Sequence, residues 1–307
     1  MKAITYTAHG GSDVLTLDDI DLPVAGPGDV LVRIHAAGVN PVDVQVREGQ
    51  LESMIPTRFP AVPGWDLAGV VEAVGEGVTT LVPGDRVWGY ARRDVVGQGT
   101  YAHFAAVQAG SLGVRPAGLP VVAAGALPLV GLTALQALRA VRVGPGDTVL
   151  VNNAAGGVGH VAVQIARAMG ATRVIGSAGE ANHDFVRSLG AEVVEYGDTL
   201  ERVVRTLVPD GVDAVLDAHG GPGLDAGFAL VGDPSRVASI VDPGVAERGG
   251  RWVFCAPAST DLEQLATWVD TGALTVAIEE VFPLADAARA QDLVAAGHVR
   301  GKVVLEL

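Results

Sequence analysis

The chain has 307 residues, of which 49% are hydrophobic and 18% charged, a mix that excludes a disordered chain and fits a globular protein with a real core. Because single cores stop growing at roughly 250 to 300 residues, two domains are expected at this length. The 21 basic and 35 acidic residues leave a net charge of −14, which argues against broad contact with nucleic acid or an anionic membrane.

At the N-terminus MKAITYTAHGG lacks the apolar core of a signal peptide, and no uncharged apolar run reaches the ~20 residues that cross a bilayer. A cytoplasmic location without membrane association is the expectation. From there to about residue 118 the chain is a series of short strand-like segments, DVLVRIHAAG, AGVVEAVGEG, DRVWGY and TYAHFAAV, with glycine and proline between them. That spacing predicts a compact, mostly β domain. PGD recurs at 27–29 and 83–85, each time just before an apolar strand; Pro presets φ, Gly relaxes it, and Asp bonds nearby backbone donors.

After about residue 121 helix and strand alternate. The region after Pro128 is helix-like, PGDTVLVNNA reads as a strand that ends at a glycine cluster, and in GHVAVQIARAMGA the apolar Val161, Ile165 and Met169 stand four apart. Strand TRVIGSA, helix NHDFVRSLGA, strand EVVEY, helix TLERVVRTLV, strand DAVLDA, helix LDAGFALV and strand SRVASIV come next. This order predicts βαβ units, a parallel sheet with helices on both faces. RWVFCAPAS would add an edge strand, and an uncovered apolar edge invites pairing with a second copy, so a homodimer is expected. Cys255, the only cysteine, reads as a buried small hydrophobe; an internal disulfide and a cysteine-rich zinc cluster are excluded.

The informative stretch is VLVNNAAGGVGHVAVQIARAMGA, residues 149–171, where Ala154, Gly156 and Gly159 occupy the small positions of a GxGxxG fingerprint. Such a turn lets a pyrophosphate approach the backbone, and the helix behind it offers free amide donors. Ala155, Gly156, Gly157 and Val158 are the expected phosphate contacts. A strand before, an amphipathic helix after and the strand RVIGS about 20 residues on make this a dinucleotide site rather than a plain glycine turn. An acidic residue at the end of that second strand would favour NADH, but Ser177 stands there. Ser177, Asn182 and Tyr196 are then candidate donors to a 2′-phosphate, with His183 and Arg187 nearby and Glu180 opposing; NADPH is favoured over NADH.

Taken together, GVNPVD (38–43), PGWDLAGVVEAVG (63–75), PGDRV (83–87), LPLVGLTA (127–134), AAGGVG (154–159) and GHVRGKVVL (297–305) resemble the medium-chain dehydrogenase/reductase superfamily, in its zinc-independent quinone oxidoreductase branch. The resemblance implies an α/β chain: a GroES-like β-rich domain over 1–118 and 275–307, a Rossmann doubly wound domain over 119–274, and a cleft between them. Zinc-dependent relatives carry Cys where this chain has Asn40, His where it has Trp65 and a further Cys near Val130. Catalytic zinc needs three Cys, His or carboxylate ligands, so the resemblance implies no metal, with Trp65 as core or cleft wall and Asp66 as the surviving acidic position.

By the same resemblance Thr133, Ser239, Ile240 and Val241 approach the nicotinamide end of the cofactor, and Lys302 is a cofactor contact near the cleft. Asn40, in the GVNPVD turn, is the candidate catalytic donor to negative charge developing on an acceptor oxygen; the alternative is an asparagine that only fixes the turn before Pro41. Lys302 has a similar alternative, an ordinary charge beside the last strand. Asp43 reads as structural, Arg47 and His35 are assigned no role, and His219 either donates to ribose or meets solvent. The implied activity is NADPH-dependent hydride transfer to a small-molecule quinone or α,β-unsaturated carbonyl; the competing reading is an NADPH-binding sensor or scaffold with little turnover. Where the family has a tyrosine after NPVD, this chain has VREGQLESM, so water is left to protonate the product.

Overall fold

A computed structural model describes residues 1–307. Two compact units divide the chain, the first made of Met1–Leu129, Pro257–Asp270 and Val276–Leu307, the second of Val130–Ala256 and Thr271–Thr275.

In the first unit a seven-stranded sheet runs in the order Ile278–Pro283, Lys302–Glu306, Asp29–Val39, Asp66–Val74, Arg86–Tyr90, Leu112–Val114, with Phe104–Gln108 also paired to Asp29–Val39. A hairpin of Lys2–Thr5 and Thr16–Asp19 stands apart. One face of the sheet closes on Val30, Val32, Ile34, Leu67, Val71, Val87, Val107 and Leu112, the alternate residues of strands that show period-two patterning. The last strand returns antiparallel to Asp29–Val39, pairing Val303 with Val39, so the chain's final residues complete the sheet its early ones begin. The segment opening at Pro63 folds as a turn into Asp66–Val74, and Trp65 is buried edge-on against Tyr90 with ring centroids 5.9 Å apart.

The unit boundaries differ from the expected 118/119 and 274/275. Residues 119–129 belong to the first unit because the short helix Val121–Ala126 lies on its sheet: a Cβ on Gly125 would come within 2.8 Å of the Ala36 side chain, and Ala126 is buried with Ala36 and Val304. Helix Ser259–Asp270 joins it too, through Leu262, which covers Gly113 beside the Trp88 indole. A pattern of amphipathic helix after strand says that a helix forms, not which sheet it covers.

In the second unit six strands are all parallel, in the order Glu192–Val194, Arg173–Ser177, Thr148–Val151, Ala214–Asp217, Val237–Ser239, Arg251–Trp252. This is the doubly wound order, whose direction reverses between the first and fourth strands. Leu150, Ile175, Val215 and Val237 are fully or almost fully buried at its centre, as continuous apolar strands covered on both faces must be. The expected edge strand is the sixth, but only Arg251–Trp252 pairs, because Pro257 and the bonds of Cys255 and Ala256 to Thr133 and Gln136 divert the chain beyond Trp252 away from the sheet. The edge offered to a second copy is correspondingly short. No helix is long and apolar enough to cross a membrane.

Candidate active site

At the carboxyl ends of the parallel strands, where ligands of open α/β sheets bind, the fingerprint turn leads from Thr148–Val151 into helix Gly157–Ala168. Asn153 takes the left-handed conformation at φ 58°, which asparagine tolerates better than most side chains. A Cβ on Gly159 would stand 2.0 Å from the Asn153 carbonyl oxygen, so only glycine lets helix and turn close. Gly156 caps the helix without a side-chain bond to its first amides. Those donors, the partial positive end of a twelve-residue helix, are the chemistry a pyrophosphate requires. Ala155, Gly156, Gly157 and Val158 are thus placed together at that helix start.

Side chains at four neighbouring strand ends form a network that sequence reading missed. The Ser177 hydroxyl donates to Asn152 Oδ1 at 3.2 Å and accepts from the Asn153 amide at 3.2 Å. Asn152 Nδ2 donates to the Gly223 carbonyl at 2.8 Å and reaches Asp217 at 3.4 Å. Asp217 accepts from the Ser239 hydroxyl at 2.8 Å and from the Gly220 amide at 3.1 Å. The one available signal was the polar pair Asn152-Asn153 and an Asp at a strand end, types that fix turns.

Ser177 and Ser239, expected as cofactor contacts, are buried, and their hydroxyls are engaged with Asn152 and Asp217 at the strand ends. Ile240 comes next with its amide on the Asp217 carbonyl at 3.1 Å, and Val241 is 51% exposed. Thr133 is buried, donating to Cys255 Sγ at 3.1 Å, so Cys255 is more than an apolar filler. Beyond the second strand, the Asn182 amide bonds the Gly179 carbonyl at 2.8 Å. Tyr196, 59% exposed, flanks Gly179 and approaches the exposed His219 with ring centroids 6.4 Å apart. Arg187 is paired with Asp184 at 2.8 Å, leaving a neutral donor set.

The first unit holds a buried network around Asn40, which is fully enclosed. Its Nδ2 donates to Asp66 Oδ2 at 2.9 Å, its Oδ1 accepts from Lys302 Nζ, and its backbone amide donates to Asp43 Oδ2 at 2.9 Å. Lys302 Nζ also donates to the Val39 carbonyl at 2.9 Å and lies 3.9 Å from Asp66. Asp66 Oδ1 accepts the Leu129 amide at 2.7 Å, and Asp43 accepts the Tyr101 hydroxyl at 2.9 Å. Arg47, also buried, donates to the Gly10 carbonyl at 3.0 Å and to Gln291 at 2.7 Å. Asn40, the expected catalytic donor, and Lys302, the expected cofactor contact, are both enclosed, bonded to each other and grouped with Asp66.

Burial governs protonation in this network, since it penalises charge. It raises Asp43 to about 6, against the hydrogen bonds of Asn40 and Tyr101. Asp66 rises to about 7, with Lys302 opposing the rise, and Lys302 is lowered by the same burial against the two carboxylates. Burial and the charge of Asp43 push the Tyr101 phenol well above its ordinary range. Nowhere do three His, Cys, Asp or Glu side chains converge in a set able to hold a metal ion.

Comparison with known proteins accords with this geometry. Residues 26–117 match the family model of the alcohol dehydrogenase GroES-like domain and residues 189–305 that of zinc-binding dehydrogenases. A quinone oxidoreductase of Sus scrofa is 32% identical over 100% of this chain and 98% of its own length. A chloroplastic NADPH-dependent alkenal/one oxidoreductase of Arabidopsis thaliana is 32% identical over 99% of this chain and 79% of its own. Among solved structures, the quinone oxidoreductase from Coxiella burnetii superposes with a TM-score of 0.87 at 30% identity, covering 100% of this chain and 99% of that one. A mycobacterial protein complexed with NADPH gives 0.86 at 31% identity, with both chains fully covered.

Proposed function

From the premise that the chain belongs to the medium-chain dehydrogenase/reductase superfamily, we propose that it is an NADPH-dependent reductase of quinones or α,β-unsaturated carbonyls. The observation that carries this reading is the uncapped start of helix Gly157–Ala168 behind the Gly156–Gly159 turn, at the reversal point of a parallel sheet. NADPH held with its pyrophosphate at that helix start would supply a hydride to an electron-poor carbon of the acceptor.

The chain's own residues divide the remaining work. Amides at the helix start hold the pyrophosphate, and Gly156 keeps a side chain out of its path. Asn182 and Tyr196 receive the 2′-phosphate, where the strand end carries Ser177 and no carboxylate. The Asn152–Ser177–Asp217–Ser239 bonds hold the strand ends at fixed spacing, so that the crevice is formed before the cofactor arrives.

Asn40 is a positioning residue in this reading: with its amide on Asp66 and Lys302, it fixes the turn into helix Pro41–Arg47. The proton that completes the product comes from solvent. The chemistry is zinc-independent, a reading supported by the donor set, since Asn40 and Trp65 carry no ligand group for zinc and Asp66 is already bonded by Asn40 and the Leu129 amide.

Purified protein mixed with NADPH and a panel of quinones and enones should consume the reduced nicotinamide absorbance, and a strong chelator should leave the rate unchanged. Binding of NADPH with no consumption across the panel would reject the reductase reading; loss of rate on chelation would reject zinc independence.

A further inference from the structure

On the outer side of the first unit's sheet, Arg33, Val70 and Arg86 are register partners on three adjacent strands. The Arg115 amide continues the row, donating to the Arg86 carbonyl at 2.8 Å. Beside this row opens a cavity of about 380 Å³ lined by His35, Gly69, Val70, Arg86, Arg115 and Val121. Its lining holds two guanidiniums, an imidazole and no carboxylate.

Neither the Arg86 nor the Arg115 guanidinium has an ion-pair or hydrogen-bond partner, and Nε of Arg115 is buried without one. The adjacent Glu72 is engaged with Arg33 at 3.6 Å. In a chain with 35 acidic and only 21 basic residues, surface cations should find carboxylates easily, so a pocket of unanswered positive charge calls for a ligand. The crowding also registers on the groups themselves. Burial and then the charge of Arg86 hold Arg115 below its ordinary range, and burial, Arg33 and Arg115 lower His35.

We propose that this cavity binds a small phosphate monoester, its dianionic head between the Arg86 and Arg115 guanidiniums and its organic part against Val70 and Val121. Two unpaired single charges match a dianion, and the planar guanidinium fork matches phosphate oxygens. The volume lies at the lower end of the roughly 300 to 1,000 Å³ of small-molecule pockets, larger than a bare oxyanion needs. All six lining residues belong to the first unit, so the site stands independently of the nucleotide reading.

Calorimetric titration of the full chain at low salt with glycerol 2-phosphate, inorganic phosphate and glycerol tests it. Because the nucleotide loop could also take phosphate, the decisive quantity is the difference between wild type and two variants, Arg86→Glu and Arg115→Met. Arg86 is exposed and Arg115→Met removes an unpartnered buried donor, so both variants should fold; far-UV circular dichroism and the thermal midpoint check that. The expected result is a saturable glycerol-phosphate site, tighter than that for inorganic phosphate and absent for glycerol, which weakens at least about tenfold in each variant. Titrations identical in wild type and variants, or no saturation up to about 20 mM, would overturn the site. Inorganic phosphate binding as tightly as the ester would overturn the assignment to an ester.

Discussion

Gly156 and Gly159 lie three residues apart in one turn, yet glycine serves a different purpose at each. A Cβ at 159 would meet a backbone oxygen at 2.0 Å, whereas one at 156 would meet the Asn153 side-chain nitrogen at 2.8 Å, and a side-chain amide can swing away where a backbone cannot. Gly159→Ala should therefore destabilise the protein by about 1 to 3 kcal/mol, the cost of overpacking, and abolish nucleotide binding with it. Gly156→Ala should leave the thermal midpoint nearly unchanged and weaken NADPH about tenfold or more, because its methyl stands where the pyrophosphate approaches. Paired melting curves and fluorescence titrations check both; equal loss of stability in the two variants would contradict the distinction. The spacing of these glycines was legible in the sequence because their job is local. The state of Ser177 or Asn40 was not, since the partners that occupy them arrive from residues 25, 26 and 262 positions away.

At the scale of elements, the Asn40–Asp66–Lys302 cluster fastens the last strand, Lys302–Glu306, to the entry of helix Pro41–Arg47 and to strand Asp66–Val74. Breaking a buried ion pair by removing one partner costs about 3 to 5 kcal/mol. Lys302→Met should lose an amount of that order in urea unfolding, and a loss under about 1 kcal/mol, as for exposed pairs, would show that the pair does not hold these elements. The carboxylates impose a pH dependence with a definite sign. Asp43 has a folded value of about 6 against an ordinary 3.8, so the folded state holds the proton more tightly. Its contribution is fully present below about pH 4 and is lost as pH rises through about 6. The stability of wild type relative to Asp43→Asn should thus be greater at pH 4 than at pH 8, by about 2 kcal/mol; a difference that grows with pH would reverse the sign assigned to burial. Strand positions were readable from β-rich segments between PGD turns. The length of the edge strand at Arg251–Trp252 was not, because the side chains of Thr133 and Gln136 bond Cys255 Sγ and the Ala256 backbone and cut it short.

For the whole molecule, the alternation of strands and helices made the parallel sheet and its doubly wound order expected, and the order of motifs pointed to two units in which the chain's end returns to the first. The sheet to which each flanking helix belongs was hidden, as Ser259–Asp270 illustrates, since the choice rests on Leu262 meeting Gly113 beside Trp88. In the proposed reading, one unit supplies a cradle for a dinucleotide, the other a buried hydrogen-bonded scaffold, and the reaction requires no resident cation. The most direct measurement is the fate of label from NADPH deuterated at the transferred C4 position, with an enone acceptor in ordinary water. Direct hydride delivery to a conjugated acceptor predicts deuterium on the β-carbon of the product and a solvent proton on the α-carbon. Deuterium washed out to solvent, or reduction at the carbonyl carbon to give an allylic alcohol, would contradict it.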